Sequence, residues 1–231
     1  MSGTLSVVIP AYNEERFIGT LLERIRAVDL SSLGLTREII VVDDGSRDRT
    51  VEIASAVPGV RVHRMPVNGG KGKAVRAGIG LATGDLLIIQ DADLEYDPSD
   101  YIPMVQALQG GRGDVIYGSR YLGRGRHVNQ SLAAYLGGRS LSLVALLFTG
   151  RYLTDTVTAY KLFRRTDLAG LTLETSGFEL DHEITARLLA RGLRIAEVPI
   201  SYHPRSREEG KKIGPRDWFI AIRTFARFRN G

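Results

Sequence analysis

The order of the predicted elements indicates an α/β fold, built on a Rossmann-like, mostly parallel sheet flanked by helices. Strand-like apolar runs alternate with amphipathic helical patterns through the first half of the chain. Several runs are continuously aliphatic, which is typical of parallel strands covered on both faces. The 231 residues are 43% hydrophobic and 25% charged, enough to bury a large core without covalent cross-links. These observations together predict a doubly wound domain.

Five strands are predicted in the first half, over residues 5–9, 38–42, 60–64, 85–90 and 114–117. The second half is a smaller, mixed portion. Its patterns predict helices over 131–148 and 178–191, and strands over 159–163 and 194–202. The sequence contains no internal repeat or obvious linker. We therefore expect one domain with a first half over 1–120, a second half over 121–214 and a final helix over 215–231.

Three helix starts are predicted from residues that commonly cap helices. Asn13 is expected to cap the first helix, whose apolar stripe consists of Phe17, Ile18, Leu21, Leu22 and Ile25. Ser46 is expected to cap the second helix. Asp97 is followed by Pro98, a residue favoured in the first turn of a helix, and is expected to begin another.

The final helix allows two interpretations. It starts near Pro215 and carries apolar side chains between arginines, namely Trp218, Phe219, Ile222, Phe225 and Phe228. That composition suits a helix lying at a membrane interface. It suits equally a helix that packs its apolar side on the domain and leaves its arginines in solvent.

Composition limits the location and the partners. The chain contains no cysteine, which excludes disulfides and thiolate metal sites and favours an intracellular location. Residues 1–4 are too short and polar for a signal peptide. The longest apolar stretch, 141–149, is far below the roughly 20 residues of a membrane span, so we expect a cytoplasmic protein. The net charge of +5 predicts anionic partners, but few aromatics and no groove-reading pattern of arginines argue against nucleic acid.

Polar, turn-forming residues follow each of the five early strands, at 10–14, 43–46, 68–73, 91–93 and 118–120. In open α/β sheets, ligands bind outside the carboxyl ends of the strands. Any one of these segments could be an ordinary loop. Five of them in register predict a binding site along one rim of the sheet.

The glycine-rich segment Asn68-Gly69-Gly70-Lys71-Gly72-Lys73-Ala74 matches neither of two known phosphate loops. Val75 stands where a dinucleotide fingerprint needs its third glycine, and no Ser or Thr follows Lys73 as a Walker A loop requires. The segment is a lysine-bearing turn before a helix. It either approaches a diphosphate or merely turns the chain.

An acidic segment, Asp91-Ala92-Asp93-Leu94-Glu95, follows the fourth strand. In an extended chain Asp91, Asp93 and Glu95 would share one side, and like charges so close together call for a cation. Carboxylate oxygens suit Mg²⁺ or Mn²⁺, which typically bind one or two carboxylates together with substrate phosphates. An aspartyl-phosphate hydrolase is disfavoured, because Leu94 and Glu95 stand where it would want a threonine.

Taken in order, five motifs closely resemble the family 2 glycosyltransferases with the GT-A fold. They are VVIPAYNEE, IIVVDDGSRDRT, NGGKGKA, ATGDLLIIQDADLEYDP and YGSRY. The resemblance continues through DTVTAYKLFRR and EVPISYHPRSREEGKKIG, so it covers residues 5–214. The branch that these motifs are most similar to is the dolichyl- or polyprenyl-phosphate sugar synthases.

The resemblance implies roles on the donor side. A nucleotide base and ribose would lie against Pro10, Tyr12 and Glu14, with Asp43 hydrogen-bonded to the base and Asp44 close by. Lys71 or Lys73 would approach the donor. The resemblance further implies a loop that closes over the donor diphosphate and carries Arg205 and Lys211.

The same resemblance implies a divalent ion and an acceptor site. Asp91, Ala92 and Asp93 match the DxD motif, in which Asp91 lies near the sugar and Asp93 binds Mg²⁺ or Mn²⁺. Glu95 stands where relatives often carry a further metal ligand. Arg120 resembles an arginine that holds the acceptor phosphate, and Arg139 is the sole basic residue of the helix that follows.

The implied reaction is inverting transfer of a sugar from GDP-mannose or a UDP-hexose to a polyprenyl or dolichyl phosphate. An enzyme with such an acceptor is expected at the cytoplasmic face of a membrane, with a possible peripheral contact. An ionised phosphate acceptor needs no general base. A hydroxyl acceptor would need one, and Asp155 is then the candidate, with Asp181 and Glu183 behind it.

Two further interpretations of the sequence have less support. His182 beside Glu183 invites a metal site, but no second histidine stands at a suitable spacing, so we interpret His182 as structural. A nucleotidyltransferase on a similar fold is the enzymatic rival, and the sequence has no glycine-rich triphosphate loop near Pro10 to support it. The chain also departs from the family pattern where Ala159, in place of the usual glycine, follows Thr158.

Overall fold

The computed structural model describes residues 3–122, 132–204 and 215–230, and within them the chain forms one seven-stranded sheet with helices on both faces. The strands are β1 (Gly3–Ala11), β2 (Leu35–Asp43), β3 (Val60–Arg64), β4 (Leu86–Ile89), β5 (Val115–Ser119), β6 (Lys161–Arg164) and β7 (Ile195–Pro199). Their order across the sheet is β3-β2-β1-β4-β6-β5-β7. The five strands predicted in the first half are confirmed, and so is the mostly parallel sheet.

One strand of the described sheet runs against the others. β6 pairs antiparallel with both β4 and β5, while β1, β2, β3 and β4 form a parallel group and β5 pairs parallel with β7. Two antiparallel steps separate β4 from β5, so these two strands point the same way. The carboxyl ends of all five early strands therefore lie along one rim, as predicted.

Eight helices accompany the strands in the described part of the chain. They are α1 (Ile18–Ala27), α2 (Thr50–Ser55), α3 (Lys71–Leu81), α4 (Tyr101–Gln109), α5 (Leu132–Thr149), α6 (Arg165–Leu168), α7 (Leu180–Ala190) and α8 (Pro215–Phe228). β1 is covered on both faces, which explains why consecutive residues of its central part are aliphatic. Val7 packs with α1 and α4 in one apolar cluster, while the next residue, Val8, packs with α3 and α7 in another.

Two predicted helix caps are wrong. α1 begins at Ile18 rather than just after Asn13, and α2 begins at Thr50 rather than just after Ser46. Asn13 has a left-handed backbone (φ 55°), and its side-chain oxygen accepts a hydrogen bond from the Arg47 amide at 2.9 Å. Ser46 Oγ in turn accepts from the Asn13 amide at 2.9 Å. These capping-type side chains therefore join two loops at the rim instead of starting helices.

The turn after β4 combines a confirmed prediction with a wrong one. Asp97 caps a short 3₁₀ turn that leads into α4, and it accepts from the Ser99 amide at 2.9 Å. The extended arrangement expected for the three carboxylates is wrong, because β4 ends at Ile89 and residues 92–95 turn. Leu94 takes a left-handed backbone there, with φ of 60°.

The final helix packs on the domain. Phe225 and Phe228 of α8 are buried against Val144 of α5 and Ala186 of α7. The side of α8 away from this contact leaves Phe219 exposed. Of the helices that the structure describes, none combines the length and the apolar character that crossing a membrane would require.

Candidate functional site

A cleft of about 600 Å³ opens at the carboxyl ends of β1, β2 and β3. It is lined by Tyr12, Gly45, Ser46, Arg47, Arg64, Met65, Pro66, Val67 and Asn68. Its walls come from three separate segments that the parallel sheet brings to one edge. Tyr12 and Asn68, both within the predicted rim segments, thus line a pocket, and Arg64 is a lining residue outside those segments.

Asp43 is buried next to this cleft. Its side chain is fully buried, and both carboxylate oxygens accept from the Ser46 amide at 3.2 Å. Arg64 Nε lies 3.5 Å from the same carboxylate. The register of the sheet explains the pair, because Asp43 of β2 lies directly opposite Arg64 of β3.

Asp44 organises the glycine-rich segment. Its two carboxylate oxygens accept hydrogen bonds from the Gly69 amide at 2.7 Å and the Gly70 amide at 2.8 Å. Gly70 has φ of 92°, and a Cβ atom at this position would lie 2.4 Å from the Ser176 carbonyl oxygen. The glycines are therefore needed for a left-handed backbone and for close packing of the 175–177 segment. The amides of Gly69 and Gly70 already donate hydrogen bonds to Asp44.

Four charged side chains alternate in sign beneath the acidic segment. Lys71 Nζ lies 2.7 Å from Asp91 Oδ1 and 3.6 Å from Asp181 Oδ2. Asp181 Oδ1 lies 2.7 Å from Nζ of Lys161, whose side chain is fully buried. Burial lowers the pKa of Lys161, whereas the attraction of Asp91 and Asp181 outweighs burial and raises the pKa of Lys71. Lys71 is thus held as a cation against Asp91, the first aspartate of the acidic segment.

The rest of the acidic segment is fixed by a turn and by tyrosines. Asp93 Oδ1 accepts from the Glu95 amide at 3.1 Å, and Glu95 Oε2 accepts from the Tyr202 hydroxyl at 3.2 Å. At the entry to the segment, the buried Gln90 Oε1 accepts the hydroxyls of Tyr101 and Tyr160, each at 2.6 Å. The buried amide fixes the point at which the chain leaves β4.

The donor set fits a hard divalent ion that shares its coordination with phosphates. Across residues 3–122, 132–204 and 215–230, no three histidines or carboxylates group closely enough to hold a metal by themselves. Mg²⁺ ordinarily takes one or two carboxylates and completes its shell with phosphate and water. Asp91 and Asp93 supply that number, while Glu95 is bonded to Tyr202.

Arg120 and Asp155 form a buried ion pair on the other side of the rim. Arg120 Nε and Nη2 donate to the two oxygens of Asp155 at 2.7 and 2.8 Å, and the Asp155 side chain is fully buried. Burial opposes the charge of Arg120, but the attraction of Asp155 outweighs it and raises the pKa of the guanidinium. Both oxygens of the predicted base are therefore committed to an arginine.

Arginines and tyrosines alternate outward from this pair. The Arg120 guanidinium lies 5.1 Å from the ring of Tyr202 and 5.5 Å from that of Tyr121. The Arg139 guanidinium lies 5.9 Å from the centre of the same Tyr121 ring and 5.8 Å from that of the Tyr152 ring. Such stacking keeps guanidinium groups oriented while they remain charged. The two arginines predicted on the acceptor side are thus brought together around one aromatic ring.

Glu197 of β7 supports this side of the site. It lies in one of the quoted motifs, but no role was predicted for it. Its carboxylate accepts from the Thr154 amide at 2.7 Å and from the Asp155 amide at 2.9 Å. Burial raises the pKa of Glu197, although the hydrogen bonds from Thr154 oppose that effect. Glu197 and Lys161 of β6 each stand inside a quoted motif and are charged residues within largely apolar strands, which is the signal that could have marked them.

Several predicted residues lie elsewhere or remain undescribed. The side chain of Lys73 is exposed, and Arg205 and Lys211 lie outside the described residues. Glu183 accepts from the Thr175 amide at 2.8 Å and so holds a loop. His182 is buried with its ring centroid 5.1 Å from that of Phe225, which agrees with its structural interpretation.

A family model described as Glycosyl transferase family 2 matches residues 6–169, including the cleft, the glycine-rich segment, the acidic segment and the Arg120–Asp155 pair. The chain belongs to glycosyl transferase family 2. It is accordingly a glycosyltransferase, and its mostly parallel sheet is that of the GT-A fold.

Relatives of this glycosyltransferase include two enzymes named for lipid-phosphate acceptors. A dolichol-phosphate mannosyltransferase of Pyrococcus furiosus is 32% identical over 216 residues, which are 91% of this chain and 59% of that protein. An undecaprenyl-phosphate mannosyltransferase of Micrococcus luteus is 31% identical over 217 residues, 90% of this chain and 86% of that protein. The chain thus spans less than two thirds of the archaeal relative.

Solved structures of similar fold come from the glucosyl-3-phosphoglycerate synthase of Mycobacterium tuberculosis. Its complex with UDP gives a TM-score of 0.75 at 24% identity, covering 98% of this chain and 80% of that one. Its complex with Mn²⁺ and UDP-glucose gives a TM-score of 0.68 at 25% identity, covering 90% and 73%.

Proposed function

We propose that this chain transfers a sugar from a GDP- or UDP-linked donor to a polyprenyl or dolichyl phosphate, with inversion at the anomeric carbon. One observation carries the proposal. Tyr202 touches Glu95 of the acidic segment through its hydroxyl and lies under the Arg120 guanidinium through its ring. Groups suited to a metal-bound diphosphate and groups suited to a phosphate anion therefore meet at a single side chain.

The donor half of the proposal assigns the base to the cleft beside Tyr12 and Asp43. The diphosphate would extend toward Asp91 and Asp93. Bound there, Mg²⁺ or Mn²⁺ would neutralise the charge that develops on the departing diphosphate. A structural neighbour crystallised with Mn²⁺ and UDP-glucose supports a divalent ion in this fold.

The acceptor half assigns a phosphate to Arg120 and Arg139. An ionised phosphate oxygen is already a nucleophile and needs positioning rather than deprotonation. Asp155 then orients Arg120, a role that its bidentate contact and complete burial support. A base must reach the proton it removes, so the same burial argues against Asp155 as the base for a hydroxyl acceptor.

A lipid acceptor requires access to a membrane, and one face of the molecule suits that contact. Leu143 and Leu147 of α5 are 56% and 82% exposed, and Phe219 of the neighbouring α8 is 68% exposed. α5 carries Arg139 and contains no acidic residue. Exposed leucines beside arginines favour the surface of an anionic membrane.

The central experiment is a donor panel. Purified protein is incubated with GDP-mannose and with several UDP-hexoses, in Mg²⁺ or Mn²⁺, with and without a short-chain polyprenyl phosphate. We expect one donor to be consumed only with metal, and far faster with the lipid phosphate, giving a glycosyl phospholipid. Transfer to 3-phosphoglycerate or a glycan in place of the lipid would overturn the acceptor. Donor turnover that is unchanged by EDTA would overturn the metal dependence.

Point variants test the membrane contact better than removal of 215–231, which would uncover the core around Phe225. Leu143→Glu with Leu147→Glu is expected to lower sedimentation with anionic vesicles by about tenfold, because two charges on an inserted face oppose burial. The matched control, Thr20→Glu with Gln106→Glu, adds the same charge to exposed positions on α1 and α4. Equal sedimentation of both double variants would contradict the contact.

A further inference from the structure

Lys71 is bound between two carboxylates that it does not hold equally. Its Nζ lies 2.7 Å from Asp91 but 3.6 Å from Asp181. The side chains are largely shielded, with 16% exposure for Lys71, 23% for Asp91 and 10% for Asp181. Ion pairs in such surroundings are weakly screened by salt and exert more force than exposed ones.

Asp181 lies farther from Lys71 than Asp91 does, because Asp181 is already paired with another lysine at shorter distance. Lys161 Nζ lies 2.7 Å from Asp181 Oδ1 and also donates to the Thr158 carbonyl. The aromatic ring of Tyr117 lies 5.0 Å from the same ammonium group. With one oxygen bound by a wholly buried lysine, Asp181 presents its other oxygen to Lys71 at the longer distance.

We propose that Lys71 is a built-in counter-ion that competes with the divalent metal for Asp91, and that Asp181 is a positioning residue that can receive it. The inference rests on the proposed metal-dependent function and deepens it. When the metal complex of the donor binds, Nζ exchanges Asp91 for Asp181, a shift toward a contact already formed. The metal alone carries no diphosphate to complete its shell, and Lys71 therefore competes with it more effectively for Asp91.

The direction of the effect separates this competition from a simple supporting role. If Lys71 only supported the fold, its removal would weaken metal binding or leave it unchanged. Competition predicts the opposite, because an uncharged side chain leaves Asp91 to the ion. Removal of Asp181 has the reverse consequence, since Asp91 is then the only carboxylate among the described residues that pairs with Lys71 within 4 Å.

The experiment measures Mn²⁺ binding to the protein without nucleotide, from the electron paramagnetic resonance signal of the free ion. Lys71→Met is expected to tighten Mn²⁺ binding about fivefold, the usual worth of a partly shielded ion pair. Lys71→Arg should restore the wild-type affinity. Lys73→Met is the matched control, because Lys73 lies two residues after Lys71, carries the same charge and has an exposed side chain. A similar tightening of Mn²⁺ binding in Lys73→Met would overturn the inference.

A double-mutant cycle tests the role of Asp181. In the wild type, Asp181→Asn is expected to weaken Mn²⁺ binding about threefold, by strengthening the hold of Lys71 on Asp91. In the Lys71→Met background the same change should have no effect. Equal effects in both backgrounds would show that the negative charge of Asp181 attracts Mn²⁺ directly, without Lys71, and would overturn its positioning role.

The outcomes also separate this inference from the proposed function. Wild-type protein that takes up Mn²⁺ neither alone nor with UDP or GDP would contradict the metal-dependent function itself. Protein that takes up Mn²⁺ with a nucleoside diphosphate, but whose Lys71→Met variant binds Mn²⁺ alone no more tightly than wild type, would contradict the counter-ion alone.

Discussion

The two sides of the rim hold their charged groups in different ways. On the donor side, Asp43 and Asp44 are bound mainly by backbone amides of neighbouring loops, at 2.7 to 3.2 Å. On the acceptor side, Arg120 depends on the side chain of Asp155, which is supported in turn by Glu197 of another strand. A backbone amide is retained in every substitution except one by proline, whereas a pair of side chains can be lost through either partner.

This difference teaches where each side is vulnerable. A buried ion pair leaves an uncompensated charge when one partner is removed, at a cost of several kcal/mol. A carboxylate held by amides depends instead on the backbone path that presents them. We therefore expect the acceptor side to respond most to charge, and the donor side to respond most to backbone geometry.

The largest expected effect is on the acceptor side. Asp155→Asn should lower the free energy of unfolding by about 3–5 kcal/mol, because Arg120 keeps its charge in a buried position. Urea unfolding at neutral pH measures the loss. Glu52→Gln is the control, since it breaks a pair with Arg49 that is exposed on both sides and should change stability very little. A small loss for Asp155→Asn would remove the distinction between the two sides.

On the donor side, adding a single methyl group at Gly70 should lower the free energy of unfolding. Gly70→Ala places a Cβ 2.4 Å from the Ser176 carbonyl oxygen on a backbone with φ of 92°, and should cost about 2–3 kcal/mol. Gly80→Ala lies within α3, the helix that Gly70 precedes, with nothing within 4 Å of the new atom, and should stabilise by about 0.5–1 kcal/mol. Thermal or urea unfolding compares them. Two changes of the same sign would contradict the geometric argument.

The smallest effect is a difference in the sign of pH dependence between two glutamates. At Glu183, beside the glycine-rich segment, burial favours a higher pKa, but hydrogen bonds from Thr175 outweigh it and lower the pKa. Its contribution to stability is therefore present above the unfolded value of about 4.3 and is lost as the pH falls. At Glu197 burial prevails and raises the pKa, so its contribution is present below about 4.3 and declines as the pH rises.

Urea unfolding from pH 3 to pH 7 checks these signs. The stability difference between the wild type and Glu183→Gln should grow as the pH rises. The difference between the wild type and Glu197→Gln should shrink over the same range. Parallel curves for the two variants would mean that the two sides do not differ in the way that their carboxylates are held.

The sequence predicted what depends on periodicity and on local motifs. Largely aliphatic runs, as in β1, β2 and β4, were predicted as strands because burial on both faces leaves few polar positions in a strand. Asp97 was recognised as a cap because its partner, Ser99, is two residues away. The glycine-rich segment before α3 was also recognised, although its role in packing against residues 175–177 was not.

What the sequence did not predict depends on contacts between distant segments. Asn13 and Ser46 have the composition of helix caps, yet each bonds to the other's loop, more than 30 residues away. The Lys71–Asp181–Lys161 series joins three elements that no local pattern connects. Donor and acceptor candidates came from family motifs, but the pairing of Arg120 with Asp155 required the three-dimensional arrangement.

The reversed direction of β6 has a consequence for how such an enzyme can change its acceptor. β5 ends at the rim with Ser119, and β6 begins at the same rim with Lys161, because the two strands run in opposite directions. The stretch of chain between them therefore begins and ends at one rim, and the part of it that the structure describes includes α5. A change in the length or composition of this one segment would alter the proposed acceptor side and leave the strands of the proposed donor side in place.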